Sequence, residues 1–116
     1  PSTVYVMTGV NDLKNGADPS VTVSNLELIA QRLKMQHPQT RIVVLGILPT
    51  RLPTVPPSTV AQVNGQLAIA LRRRGVEFVD LQPAFGDSQG LLRTDLTTDG
   101  LHLNPQGYSL LASYLR

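Results

Sequence analysis

A chain of 116 residues, 41% hydrophobic and 16% charged, is long enough for one packed core and too apolar for a disordered segment. A net charge of +2 gives no reason to expect nucleic-acid binding, and the absence of cysteine excludes disulfides, thiolate metal sites and a cysteine nucleophile. No apolar run reads as a membrane span or a signal peptide, and the composition leaves the compartment open.

Residues 3–8 open the chain with a β-rich, centrally apolar stretch, expected to be a strand covered on both faces. A strand this close to residue 1 suggests that sequence belongs upstream of it. It runs into the turn Gly9-Val10-Asn11-Asp12, and ligands of open α/β sheets gather at such carboxyl ends of strands. Asp18 and Pro19 then form an N-cap and first helical position. The spacing of Leu26, Ile29, Ala30 and Leu33 predicts a helix over 19–36, ended by His37-Pro38. His37 reads as an exposed residue at the negative end of that helix.

A second buried strand is expected over 41–48, followed by a stiff loop with four prolines between Pro49 and Pro57. Ser58 is the expected cap of a helix reaching Arg74, with Val63, Leu67, Ala70 and Leu71 facing inward and Gly75 stopping it. The basic cluster Arg72-Arg73-Arg74 suits the carboxyl end of that helix dipole. A third strand over 76–81 precedes an irregular or short-helical stretch, 82–98, and a final helix is expected from Pro105 to about Leu115. The order β-α-β-α-β-loop-α predicts a parallel sheet with helical crossovers.

The chemistry concentrates in Asp99-Gly100-Leu101-His102, directly before the cap Asn104-Pro105. An acid three residues before a histidine, with glycine between to turn the backbone, can accept from imidazole Nδ1 and leave Nε2 free as a base. Alone, such a pair is a polar turn before a helix. At the other end of the chain, Asn11 can donate its side-chain N–H to an oxyanion, with Gly9 allowing close backbone approach.

Together these blocks resemble the SGNH hydrolases, the GDSL-like esterases and lipases. Gly9-Val10-Asn11-Asp12 matches the family's Gly-x-Asn-Asp block, and residues 99–108, Asp99-Gly100-Leu101-His102 foremost, match its Asp-x-x-His block. Between them, Val44-Leu45-Gly46-Ile47-Leu48-Pro49 and Val63-Asn64-Gly65-Gln66-Leu67 look like lysophospholipase-like and platelet-activating-factor acetylhydrolase-like members. The resemblance implies a three-layer, flavodoxin-like α/β fold, here as its C-terminal β-α-β-α-β-α portion, with residues 1–116 being the C-terminal part of one hydrolase domain. It implies Asp99 as orienting acid, His102 as general base, and Asn11 with Gly9 as the oxyanion hole. It also implies a small ester substrate and no metal or organic cofactor.

The family's Gly-Asp-Ser nucleophile block belongs tens of residues before Gly9, and only eight residues precede it here. No nucleophile is therefore expected in this chain; the serine should come from an upstream segment or another chain. Gly86-Asp87-Ser88 spells that motif in a loop, away from any strand-to-helix turn, so Ser88 reads as a turn serine. Ser2, Ser20, Ser58 and Ser109 read as a terminus, caps or helix surface. The first strand is expected to offer an unpaired apolar edge, making this polypeptide an unstable monomer by itself. The competing readings are a non-catalytic binding or structural module of the same fold, and a metal site at Asp99 and His102 that lacks further ligands.

Overall fold

The computed structural model describes residues 2–7 and 13–115. Among the described residues, three strands, β1 (Thr3–Val6), β2 (Arg41–Leu45) and β3 (Glu77–Val79), form a sheet in that spatial order. Both pairings are parallel, with Thr3 opposite Arg41 and Val43 opposite Glu77. The helices lying wholly within the described residues are α1 (Pro19–Gln36), α2 (Pro57–Arg73), α3 (Gln82–Phe85) and α4 (Pro105–Ala112), with a short 3-10 turn at Thr94–Leu96.

Side-chain alternation on β2 divides the core in two. Ile42 and Val44 point to one face, where they meet Leu26 and Ala30 of α1 and Val60, Val63, Leu67 and Leu71 of α2. Val43 and Leu45 point to the other, onto Leu81, Phe85, Leu92 and Leu96, with Leu110 and Leu111 of α4 alongside. Helices therefore cover both faces of a parallel sheet, the three-layer α/β arrangement expected. Leu67 is fully buried in the first cluster. Leu67→Ala should cost about 2–5 kcal/mol by chemical denaturation, as cavities left by deleted leucines do.

Local chemistry explains why α1 and α4 begin where they do. The Asp18 carboxylate accepts from Ser20 N–H at 2.9 Å, with Pro19 entering the helix behind it. The Asn104 side chain accepts from Gly107 N–H at 2.9 Å ahead of Pro105. His37 ends α1 as an exposed cap whose N–H donates to Leu33 carbonyl. Arg72 and Arg73 occupy the last turn of α2, and Arg74 forms an ion pair with Glu27 of α1.

Several expectations need correction. Ser58 does not cap α2; the helix starts two residues earlier than such a cap implies, at Pro57, with Pro56 in the cap position and no side-chain cap. Proline can open a helix without one, because its missing N–H leaves one fewer donor to satisfy. Ile29 follows the helical spacing but is exposed, since it lies on the flank of an α1 stripe made by Thr22, Val23, Leu26 and Ala30. α4 is shorter than expected, ending in turns at Ser113.

The strands are also shorter. β1 ends at Val6 and is half-buried along its length rather than covered on both faces, since β2 is its only partner among the described strands. β2 ends at Leu45 although the apolar run continues through Gly46-Ile47-Leu48. The reason is a side chain. Asn64 of α2, 2% exposed, accepts from Ile47 N–H at 2.8 Å and donates to Ile47 carbonyl at 3.0 Å. This replaces two ladder bonds and draws the chain off the sheet. A Cβ on Gly46 would lie 2.8 Å from Asn64 Oδ1, so only glycine admits the amide.

Candidate active site

The segment leaving β2 forms the floor of a cleft of about 240 Å³. Ile47, Leu48 and Pro49 line it from below, Leu101 and Leu103 from the loop before α4, and Leu111 from α4 itself. Met7, following β1, lies on one side, with His102 and Tyr108 also on its wall. The cleft thus opens at the carboxyl ends of β1 and β2, beside a loop that carries an imidazole.

That loop is built from its own polar groups. Thr97 and Leu103 face each other in an isolated antiparallel bridge. Within the turn they enclose, Gly100 adopts φ +82°, a left-handed conformation that a Cβ would strain. Thr97 Oγ1 donates to His102 carbonyl at 2.6 Å and accepts from Gly100 N–H at 2.9 Å. Asp99 Oδ1 accepts from the N–H groups of Leu101 at 2.9 Å and His102 at 2.7 Å. The second oxygen, Oδ2, stands 2.6 Å from His102 Nδ1.

Electrostatics follow from those contacts. The imidazole hydrogen bond, then the N–H groups of His102 and Leu101, hold the Asp99 carboxyl far below the usual carboxylate range. A depressed native-state value means that ionised Asp99 favours the folded loop at ordinary pH. That contribution is lost progressively as pH falls from the ordinary carboxylate range down through the depressed value. With Nδ1 occupied by an ionised partner, the ring is held in one orientation, and among the described residues Nε2 makes no hydrogen bond. Both side chains remain open to solvent, His102 73% and Asp99 52% exposed, so the pair is accessible from the cleft mouth.

Asp99 and His102 are therefore brought together beside the cleft. Gly9 and Asn11 lie outside the described residues; Met7, the last described residue before them, lines the cleft with His102. Ser88 sits on an exposed turn away from the cleft lining, and its neighbour Asp87 is engaged in capping that turn through Gln89 and Leu91 N–H groups. Among the described residues, no three acidic, histidine or cysteine side chains meet as a metal ion would require. No described helix is long and apolar enough to cross a membrane.

Sequence reasoning passed over Thr97, Arg51 and the role of Asn64. Asn64 left a signal: a polar residue within the apolar stripe of α2, between Val63 and Leu67. Thr97 and Arg51 act through loop hydrogen bonds that no periodicity reports.

A family model described as GDSL-like lipase/acylhydrolase matches residues 1–110. The chain belongs to the GDSL-like lipase/acylhydrolase family. Among curated proteins, this family member is 30% identical to platelet-activating factor acetylhydrolase IB subunit alpha2 of Rattus norvegicus, over 99% of the chain and 50% of that protein. It is 32% identical to subunit alpha1 of Homo sapiens, over 94% of the chain and 47% of that protein. The chain thus spans about half the length of the curated relatives it matches.

Solved structures give the same fold for this GDSL-like chain. A protein from Streptococcus pneumonia, described as a platelet activating factor, superposes with TM-score 0.85 at 27% identity, covering 99% of this chain and 60% of that one. A GDSL-like lipase from Bacteroides thetaiotaomicron also reaches TM-score 0.85, at 18% identity, over 99% of this chain and 60% of that one. At that identity the second likeness speaks to the fold alone.

Proposed function

We propose that this chain supplies the base-bearing half of a serine ester hydrolase, with residues 1–116 forming the C-terminal part of a single catalytic domain. The observation that carries the reading is the 2.6 Å contact between Asp99 Oδ2 and His102 Nδ1 on the wall of an apolar cleft. A serine hydroxyl supplied by an upstream segment attacks the ester carbonyl while His102 Nε2 takes its proton. Asp99 holds the ring and favours the imidazolium. The carbonyl oxygen becomes an oxyanion, stabilised by the Asn11 side-chain N–H together with backbone N–H groups, with Gly9 allowing the close backbone approach this needs. His102 returns the proton to the departing alkoxide, then activates water to release the acyl group from serine.

Small acyl groups fit this reading best. The curated relatives are named as acetylhydrolases, and the cleft of about 240 Å³ has mostly apolar walls. Acetyl and other short-chain esters of lipids or carbohydrates are therefore the first substrates to assay.

The reading is tested by treating the intact protein with a fluorophosphonate and mapping the adduct by mass spectrometry. The expected result is one labelled serine outside residues 1–116, with parallel loss of activity on a chromogenic acetate. Adduct on Ser88, or no adduct in an acetate-hydrolysing protein, would overturn the assignment. No hydrolysis of any short-chain ester, with ligand binding retained, would favour a binding module of the same fold.

A pH profile gives a second check. The base works only when neutral, so kcat/KM should rise with pH along a single-proton limb. Because the Asp99 carboxyl is held far below its usual range, its own protonation should not contribute to that limb. A two-proton acid limb would contradict this.

A further inference from the structure

The Asp99–His102 loop is shaped by its own hydrogen bonds, but those bonds do not fix where it sits against the cleft. Leu103 packs one end of the loop against the core, and a tertiary hydrogen bond holds the turn's centre. Arg51 N–H donates to Gly100 carbonyl at 2.7 Å, reaching the loop between the acid and the imidazole. The same residue closes over Gly100 from the side, since a Cβ built there would lie 3.0 Å from Arg51 Cβ. Gly100 is buried as a result, although its neighbours Asp99 and His102 are exposed.

Arg51 is itself anchored at its far end. Its guanidinium Nη1 donates to Leu92 carbonyl at 2.8 Å and pairs with Asp87 Oδ2 at 3.2 Å. Those two partners belong to a tight hairpin, in which Asp87 N–H donates to Leu91 carbonyl and Gly86 bridges Leu92. The hairpin is continuous with core residues Phe85 and Leu92, both fully buried. On the other side, Thr50 lines the cleft floor and is buried, its hydroxyl donating to Val55 carbonyl at 3.1 Å. Arg51 therefore ties three things together: the floor segment leaving β2, the 86–92 hairpin and the loop that carries the base.

We propose that Arg51 is a positioning residue for His102: its guanidinium locks it onto the 86–92 hairpin so that its backbone N–H holds Gly100, and with it the imidazole, in register with the cleft. The guanidinium does not line the cleft and so contacts no substrate there. The kinetic part of this proposal rests on the hydrolase reading above; the structural part does not.

The test uses Arg51→Ala and Arg51→Lys in the intact protein, read out in two independent ways. The first is amide hydrogen exchange at His102 together with nitrogen NMR of labelled histidines, which reports the ring's tautomer without turnover. The second is kcat and KM on a chromogenic acetate. Arg51→Ala should speed exchange at His102 and mix the imidazole tautomers. It should lower kcat by roughly 10- to 100-fold, the scale of small misplacements of a reacting group, with KM within about twofold. Arg51→Lys, which keeps one donor and the aliphatic stem, should recover part of each effect.

Unchanged exchange and tautomer in Arg51→Ala would overturn the proposal, whatever the activity. So would a loosened loop with wild-type kcat. If the wild-type protein hydrolyses no ester while Arg51→Ala still releases the loop, the hydrolase reading falls and the positioning role stands. Should Arg51→Ala fail to fold, Arg51→Met, which keeps the stem over Gly100 and removes every donor, carries the same expectations.

Discussion

Replacing His102 by alanine should reduce kcat/KM on a chromogenic acetate by roughly 10⁴- to 10⁶-fold, the range seen when the base of a serine–histidine–acid site is removed. The protein should keep its stability, because the ring is 73% exposed and packs into no core cluster. Asp99→Asn makes a sharper test. A carboxamide in that place can offer an N–H to Nδ1, turning the ring proton to Nε2 and leaving no lone pair for the serine proton. A loss near 10⁴-fold is expected, as for an acid whose main work is to select the tautomer. Two carboxylate oxygens also accept three N–H groups here, so Asp99→Asn should loosen the turn as well. Activity within tenfold of wild type in either variant would remove the pair from the mechanism.

The second large effect is on stability. Asn64→Leu keeps the approximate volume of the side chain but strands the N–H and carbonyl of Ile47 in the interior. Each unsatisfied group costs about 1–3 kcal/mol, so a loss of about 2–5 kcal/mol in urea unfolding is expected. Asn64→Asp should be no better, since it sets a carboxylate oxygen against the Ile47 carbonyl in a site 2% exposed. A change below about 1 kcal/mol would mean that water or backbone shifts satisfy Ile47 without the amide.

Much of the fold could be read without coordinates because several boundaries are marked by local chemistry. Asp18-Pro19 and His37-Pro38 bracket α1 at its observed limits, and Asn104-Pro105 marks the start of α4. The ends of the strands could not be read in this way. Leu45, Ile47 and Leu48 are equally apolar, and what ends β2 is a hydrogen bond from an asparagine 17 residues downstream. The start of helix α2 was misplaced by two residues because serine is the better generic cap, whereas two consecutive prolines here set the start. The acid–histidine pair could be read because its partners lie three residues apart, within reach of a single turn. Arg51 could not, since its partners at Gly100, Leu92 and Asp87 are distant in sequence and meet only through tertiary packing. The roles of Gly9 and Asn11 stand on the family motif, as neither lies among the described residues.

The Thr97–Leu103 turn has a wider implication. All the bonds that give it shape, from the Thr97 hydroxyl to the Asp99 carboxylate, close within seven consecutive residues. A segment so self-contained behaves as a cassette: its contour is written locally, while its address in the molecule is written elsewhere. Core substitutions on the sheet can then drift without disturbing the geometry of the base. A transplant of the cassette onto a foreign hairpin should carry the contour of the turn with it, but neither the cleft nor the single imidazole tautomer that depends on the contact with Arg51.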